Sequence, residues 1–326
     1  MPEETKAYDN LGILGAGAWG TALALVAAKA GRTVMLWSQN RTWAEARDGD
    51  RPISGLPATV SLAVSREETE AADAILLAVP AQHLRAVLSG FRPKRSCPVV
   101  ICAKGIEHAT GLLMTEVLAE TLPHSEPAVL SGPSFAHDVV QGLPTAVTIA
   151  ARAPIAPRLQ ASFGHASFRP YTSEDLIGVA LGGAAKNVYA IACGVAIGMG
   201  LGESARAALL ARGFAELRRL GASLGAKEET LMGLSGLGDL VLTATSPTSR
   251  NYSFGLLLGA GHPLAELRAR GQSLAEGVAT APALVARARR EGIELPVAET
   301  IAEILDGRIA PSEALLQLMV RPLKME

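Results

Sequence analysis

The chain has little of what would mark a secreted or metal-dependent protein. Its 326 residues include only three cysteines, Cys97, Cys102 and Cys193. Their number and spacing fit neither a disulfide framework nor a zinc-ligand pattern. A reducing, cytoplasmic setting and the absence of a bound metal are the corresponding expectations. Net charge is also scarce: the formal value is −1. There is thus no general attraction to nucleic acid or to an anionic membrane, and an anionic substrate would need a local cluster of donors. Charged residues make up 19% and hydrophobic residues 49%, which argues against disorder. The acidic, polar start, Met1 to Asn10, lacks the shape of a signal peptide. No repeat or low-complexity linker interrupts the chain, which is long enough for two domains.

Glycine, by contrast, stands where it carries meaning. Leu11–Leu14 is a short apolar run, followed by Gly15-Ala-Gly17-Ala-Trp-Gly20 and then by the helix-like Thr21–Ala30. This is a strand, a tight turn and a helix in immediate succession. In a G-x-G-x-x-G turn the first glycine makes the bend and the second admits a pyrophosphate close to the backbone. The third lets the helix pack on the strand. The free N–H groups and positive dipole end of such a helix then face the phosphates. An ordinary strand–helix turn would share the glycines, but the context favours a dinucleotide site.

Further strands are expected at Thr33–Trp37, Ala74–Val79, Pro98–Cys102, Ala128–Ser131 and Ala146–Ala150. Helices are expected at Ala81–Leu88 and Leu112–Leu122. This alternation predicts an α/β, Rossmann-type, doubly wound parallel sheet over residues 1–178. An all-α domain is expected over 179–326, where strand signals fade. Its clearest helix is Ser204–Leu224, with Ala205, Leu209, Leu210, Phe214, Leu217 and Leu220 on one face. Others are expected at Phe254–Leu258, Thr280–Glu291, Val297–Asp306 and Pro311–Leu318. The apolar stretch Leu176–Gly202 is long enough to raise the question of a membrane span. Lys186 and Asn187 interrupt it near its middle, where a bilayer penalises charge. It reads instead as a buried helix carrying a functional lysine.

Four clusters could carry chemistry: Cys102-Ala-Lys-Gly105, Ser131-Gly-Pro-Ser-Phe-Ala136, Gly182-Gly-Ala-Ala-Lys-Asn187, and Gly236-Leu-Gly-Asp239 with Ser249-Arg-Asn251. A lysine in an apolar helix is costly unless paired or neutral, and burial would move it toward catalytic usefulness. Lys186 could thus donate a proton to a carbonyl oxygen, or serve in a structural ion pair. Lys104 follows a strand end, where ligands of such sheets gather, although a surface charge is the alternative. Asp239 could orient Lys186 or cap a helix. Ser249, Arg250 and Asn251 offer a hydroxyl, a guanidinium fork and an amide, a set suited to phosphate. No carboxylate follows the second strand, where a NAD-selective site would hold one. Ser38, Gln39, Asn40 and Arg41 stand there instead. That favours NADP, or tolerance of both cofactors, with Arg41 as a solvated loop charge the alternative.

Taken together, the segments GAGAWGTALA (15–24), AKGIE (103–107), SGPSFA (131–136), GLPTA (142–146), GGAAKNVYAIA (182–192), GLGDLVLT (236–243), SRN (249–251) and AEG (275–277) resemble the bacterial NAD(P)-dependent glycerol-3-phosphate dehydrogenases. They occur in family order along nearly the whole chain. The resemblance implies reversible reduction of dihydroxyacetone phosphate to sn-glycerol 3-phosphate by NADH or NADPH, feeding phospholipid synthesis. By the same resemblance Lys186 is the catalytic acid/base, and Lys104 contacts substrate and cofactor. Gly132 and Ser134 line the substrate site, and Asp239, Ser249, Arg250 and Asn251 hold the substrate. Gly15, Gly17, Ala18, Trp19, Gly20, Gln39, Ala136, Arg250, Leu274 and Glu276 surround the cofactor. No metal is implied, and a homodimer is plausible.

Two other readings compete. A β-hydroxyacid dehydrogenase of the 6-phosphogluconate or 3-hydroxyisobutyrate type also follows a glycine pair with a lysine, but typically places an asparagine four residues later. Here that position is Ala190, and the asparagine is adjacent at Asn187. A non-catalytic NADP sensor would keep the glycine turn without needing Lys186, Asp239 and Arg250 together.

Overall fold

A computed structural model describes residues 6–39, 56–94, 96–269 and 275–314. The chain forms two compact units. One is Met1–Lys104 with Leu113–Ala180, and the other is Gly105–Leu112 with Leu181–Glu326. The sequence placed the division near residue 178; the grouping of Gly105–Leu112 with the helical unit carried no sequence signal.

The first unit is built on an eight-stranded sheet. Its strands are β1 (Asn10–Leu14), β2 (Thr33–Trp37), β3 (Val60–Leu62), β4 (Ala74–Leu77), β5 (Pro98–Ile101), β6 (Glu126–Ser131), β7 (Thr145–Ala150) and β8 (Phe168–Ser173). They lie in the order β3-β2-β1-β4-β5-β6-β7-β8, parallel throughout except for the antiparallel β6–β7 pair. The central strands β4 and β5 are buried along their whole length. Strands covered on both faces read as continuous apolar runs, so these were legible. β8 was missed because it alternates buried and exposed residues and contains Pro170, as an edge strand can. β3 is only three residues long and gives no period.

Among the described residues, the helices of this unit are α1 (Ala18–Lys29), α2 (Leu84–Leu88), α3 (Met114–Thr121), α4 (Ala136–Val140) and α5 (Ile155–Phe163). A core formed by Leu11, Ile13, Leu23, Val26, Leu76, Val100, Leu130 and Phe163 joins α1 and α5 to the sheet. The sheet order reverses between β1 and β4, and ligands of open α/β sheets bind at such a switch point.

The second unit is helical. Among the described residues its helices are α6 (Leu176–Gly198), whose start up to Ala180 groups with the sheet unit, α7 (Gly202–Leu224), α8 (Glu228–Met232), α9 (Asp239–Thr245), α10 (Arg250–Gly259), α11 (Leu264–Ala269), α12 (Glu276–Arg290) and α13 (Pro296–Leu305). By length and composition α6 could cross a membrane, but 83% of its most apolar window is buried inside the protein, so it is a core helix. Its glycines explain its packing. A Cβ on Gly194 would lie 2.1 Å from the Tyr252 carbonyl oxygen, and one on Gly255 would lie 2.2 Å from that of Ile191. Gly198 and Gly259 repeat the pattern one turn on. The backbones of α6 and α10 thus touch through interleaved glycines. Only part of the face expected on α7 is buried: Leu217 and Leu220 are, whereas Ala205, Leu209, Leu210 and Phe214 are half-buried. Helical period marks a face but not what covers it. The helix expected at Pro311–Leu318 runs beyond the described residues.

Candidate active site

In the sheet unit, Gly15 closes the turn after β1 with φ of +112°. Its N–H donates to the Trp37 carbonyl at 2.8 Å. A Cβ there would strike the Ala78 carbonyl carbon at 2.6 Å, and one on Gly20 would lie 1.8 Å from the Gly15 oxygen. A Cβ on Gly17 would meet nothing within 4 Å. The outer glycines are therefore fixed by packing, whereas the middle one faces open space. Gly17 is the N-cap of α1, which has no side-chain cap and no acid in its first turn. Ala18 is exposed there, and the indole nitrogen of Trp19 is buried without a hydrogen-bond partner. An uncapped helix start beside an open glycine and an unused donor suits a pyrophosphate. Gln39 is exposed just beyond β2. Asn40, Arg41 and Leu274 lie outside the described residues.

The same unit draws three further predicted residues together. The Gly132 carbonyl accepts from Lys104 Nζ at 3.2 Å and from Ser134 Oγ at 3.1 Å. Gly132 takes φ of +153°, and a Cβ on it would come 2.8 Å from Val147 Cα. Ser131, the last residue of β6, has a buried hydroxyl with no partner. The sequence motif 131–136 assigns it no role, although a hydroxyl at the carboxyl end of a parallel strand stands where ligands of such sheets gather. Ala136 opens α4.

In the helical unit, Lys186 is only 7% exposed and Asp239 is fully buried. Lys186 Nζ donates to Asp239 Oδ1 at 2.5 Å and to Thr243 Oγ1 at 2.9 Å. Asp239 and Thr243 stand one turn apart on α9, so both face the lysine. Thr243 was not singled out from the sequence; its spacing of four from Asp239 was the signal. Access to this arrangement needs small residues. A Cβ on Gly182 would lie 2.5 Å from the Ser235 carbonyl oxygen, so α6 rests directly on the π-helical turn Leu234–Gly238 that leads into Asp239. Such turns are rare and recur at functional sites.

The triplet 249–251 starts α10. Ser249 Oγ caps the helix by accepting from the Tyr252 N–H at 3.2 Å, and Arg250 is exposed. Asn251 Nδ2 donates to Asn187 Oδ1 at 2.9 Å, and Asn251 Oδ1 accepts from the Gly277 N–H at 2.9 Å. Asn251 thereby ties the residue beside Lys186 to the start of α12, where Glu276 stands half-buried. Asn187, to which the sequence reading assigns no role, is the link.

The description "NAD-dependent glycerol-3-phosphate dehydrogenase N-terminus" matches residues 10–156, and its C-terminus counterpart matches residues 175–316. This chain belongs to the NAD-dependent glycerol-3-phosphate dehydrogenase family. Relatives of the family named glycerol-3-phosphate dehydrogenase [NAD(P)+] include one from Maricaulis maris, 52% identical and covering 98% of each chain. Another, from Parvibaculum lavamentivorans, is 51% identical and covers 99% of each. The crystal structure of glycerol-3-phosphate dehydrogenase from Coxiella burnetii superposes with a TM-score of 0.90 at 37% identity, covering 97% of this chain and 100% of that one. The fold class expected from the sequence, a Rossmann-type sheet followed by an all-helical region, is the fold of this glycerol-3-phosphate dehydrogenase family.

Proposed function

We propose that the chain reversibly reduces dihydroxyacetone phosphate to sn-glycerol 3-phosphate, the precursor of glycerophospholipids. Bound NADH or NADPH would supply the hydride to the carbonyl carbon. The observation that carries this reading is the buried Lys186 ammonium held by Asp239 and Thr243. A positioned ammonium gives one proton to the carbonyl oxygen as the C–H bond forms, and the resulting amine takes it back in the reverse direction. Such transfer contributes typically ~10²–10⁴-fold. Asp239 and Thr243 keep the ammonium in one orientation.

Arg250, at a capped helix start, offers the fork that matches two phosphate oxygens, with Ser249 and Asn251 beside it. Lys104, Gly132 and Ser134 contact the substrate, and Lys104 also reaches the cofactor. Gly15, Gly17, Ala18, Trp19 and Gly20 hold the pyrophosphate, and Gln39, Ala136, Arg250, Leu274 and Glu276 complete the cofactor's surroundings. The absence of a carboxylate between β2 and Gln39 supports use of NADPH as well as NADH.

The test is to follow absorbance of NADH and of NADPH separately with dihydroxyacetone phosphate, alongside 3-hydroxyisobutyrate with the oxidised cofactors. Oxidation dependent on dihydroxyacetone phosphate is expected. Its absence with both cofactors would refute the proposal, and turnover of 3-hydroxyisobutyrate alone would transfer the chain to the β-hydroxyacid class.

A further inference from the structure

Lys104 ends the first stretch of the sheet unit, and the residues that follow it, Gly105–Leu112, group with the helical unit. That segment is closed on itself. The Glu107 N–H donates to the Leu112 carbonyl at 2.9 Å, and the Gly111 N–H to the Glu107 carbonyl at 2.8 Å. The Thr110 hydroxyl donates to Glu107 Oε2 at 2.6 Å and accepts from the Leu112 N–H at 3.2 Å. Ile106 is fully buried. Two arginines near the end of α12 grip the segment. Arg290 Nη1 donates to the Thr110 carbonyl at 2.7 Å, and Arg287 Nη1 to the Gly111 carbonyl at 3.4 Å. The other end of α12 is held through Gly277 and Asn251 to Asn187, the neighbour of Lys186. One helix therefore holds the segment that follows Lys104 and, through Asn251, the side chain of the residue next to Lys186.

We infer that Arg290, assisted by Arg287, is a positioning residue that presents Lys104 to the cofactor by fixing the loop that follows it. The side chain of Lys104 is held at the Gly132 carbonyl, and the arginine grip lies further along the chain, at the Thr110 and Gly111 carbonyls. Without the grip, Lys104 samples more positions and binding weakens, because ordering must then be supplied on association. The inference rests on the proposed contact of Lys104 with the cofactor.

The experiment uses the full chain and measures NADPH Kd by cofactor fluorescence, with KM for dihydroxyacetone phosphate beside it. Arg290→Met is expected to raise the NADPH Kd about fivefold, and Arg290→Lys, which can still donate to the Thr110 carbonyl, by less than about twofold. Arg289→Met makes the same charge change on an exposed neighbour and should leave both constants unaltered. In a Lys104→Met background the effect of Arg290→Met should vanish, since residues acting through one another are not additive. Full additivity, or equal effects of the Arg289 and Arg290 variants, would overturn the inference. A Lys104→Met variant with wild-type Kd would overturn it too, while leaving the dehydrogenase proposal standing. Failure of that proposal would appear separately, as wild-type protein that binds NADPH but does not oxidise it with dihydroxyacetone phosphate.

Discussion

At the scale of single residues, the Lys186–Asp239 pair combines the proposed chemical role with an energetic cost. Two charges withdrawn from water are tolerable when well paired, but removing one partner strands the other at a cost of about 3–5 kcal/mol. Lys186→Ala should therefore lower turnover by at least about two orders of magnitude and also lower the thermal midpoint. Lys186→Met combined with Asp239→Asn removes both charges. It should recover much of the midpoint yet remain inactive, with NADPH still bound. Wild-type-like turnover in either protein would remove Lys186 from the mechanism. Arg250→Lys exchanges a fork for a point charge, so KM for dihydroxyacetone phosphate should rise more than stability falls; an unchanged KM would place the phosphate elsewhere. The cysteines offer a contrast. All three are buried, and burial pushes each thiol up to about 12. Little thiolate exists at neutral pH, so alkylating reagents should leave the activity of the folded protein intact.

At the scale of elements, glycines decide how closely backbones approach. The interleaved pairs on α6 and α10 bring the helix of Lys186 and Asn187 against the helix that begins at Arg250. Gly255→Val would force a side chain into the Ile191 carbonyl, and overpacking of this kind costs about 1–3 kcal/mol or more. Urea unfolding should show the loss, and an unchanged midpoint would mean that the helices separate freely. The turn after β1 gives a paired prediction. Gly15→Ala meets both a positive φ and the Ala78 backbone, so it should destabilise the fold. Gly17 has φ of −69° and open space, so Gly17→Ala should keep stability and weaken NADPH binding, because the added methyl would occupy the space proposed for the pyrophosphate. Equal stability losses in the two variants would contradict this division of roles.

At the scale of the whole molecule, Glu216 links parts of the helical unit far apart in the chain. From α7 its carboxyl accepts from the Val297 and Ala298 N–H groups at 2.7 and 3.2 Å, at the start of α13. Burial raises its pKa from an ordinary 4.5 to about 7, and the two N–H donors oppose the rise. A raised folded value favours the protonated native state. Its contribution to stability is thus fully present below about 4.5 and is lost as pH rises through about 7. Between those limits the thermal midpoint should fall more steeply in the wild type than in Glu216→Gln; parallel curves would show that Glu216 does not titrate there. The legibility of such features followed their range along the chain. The glycine turn, the apolar strands β4 and β5 and the lysine set in an apolar helix were readable because neighbours within a few residues impose them. Thr243, the role of Asn187, the edge strand β8 and the attachment of Gly105–Leu112 to α12 were not. Local sequence determined turns, periods and the kinds of chemistry on offer. Only tertiary packing decided which donor meets which acceptor, because those partners lie tens of residues or more apart and no local pattern encodes their meeting.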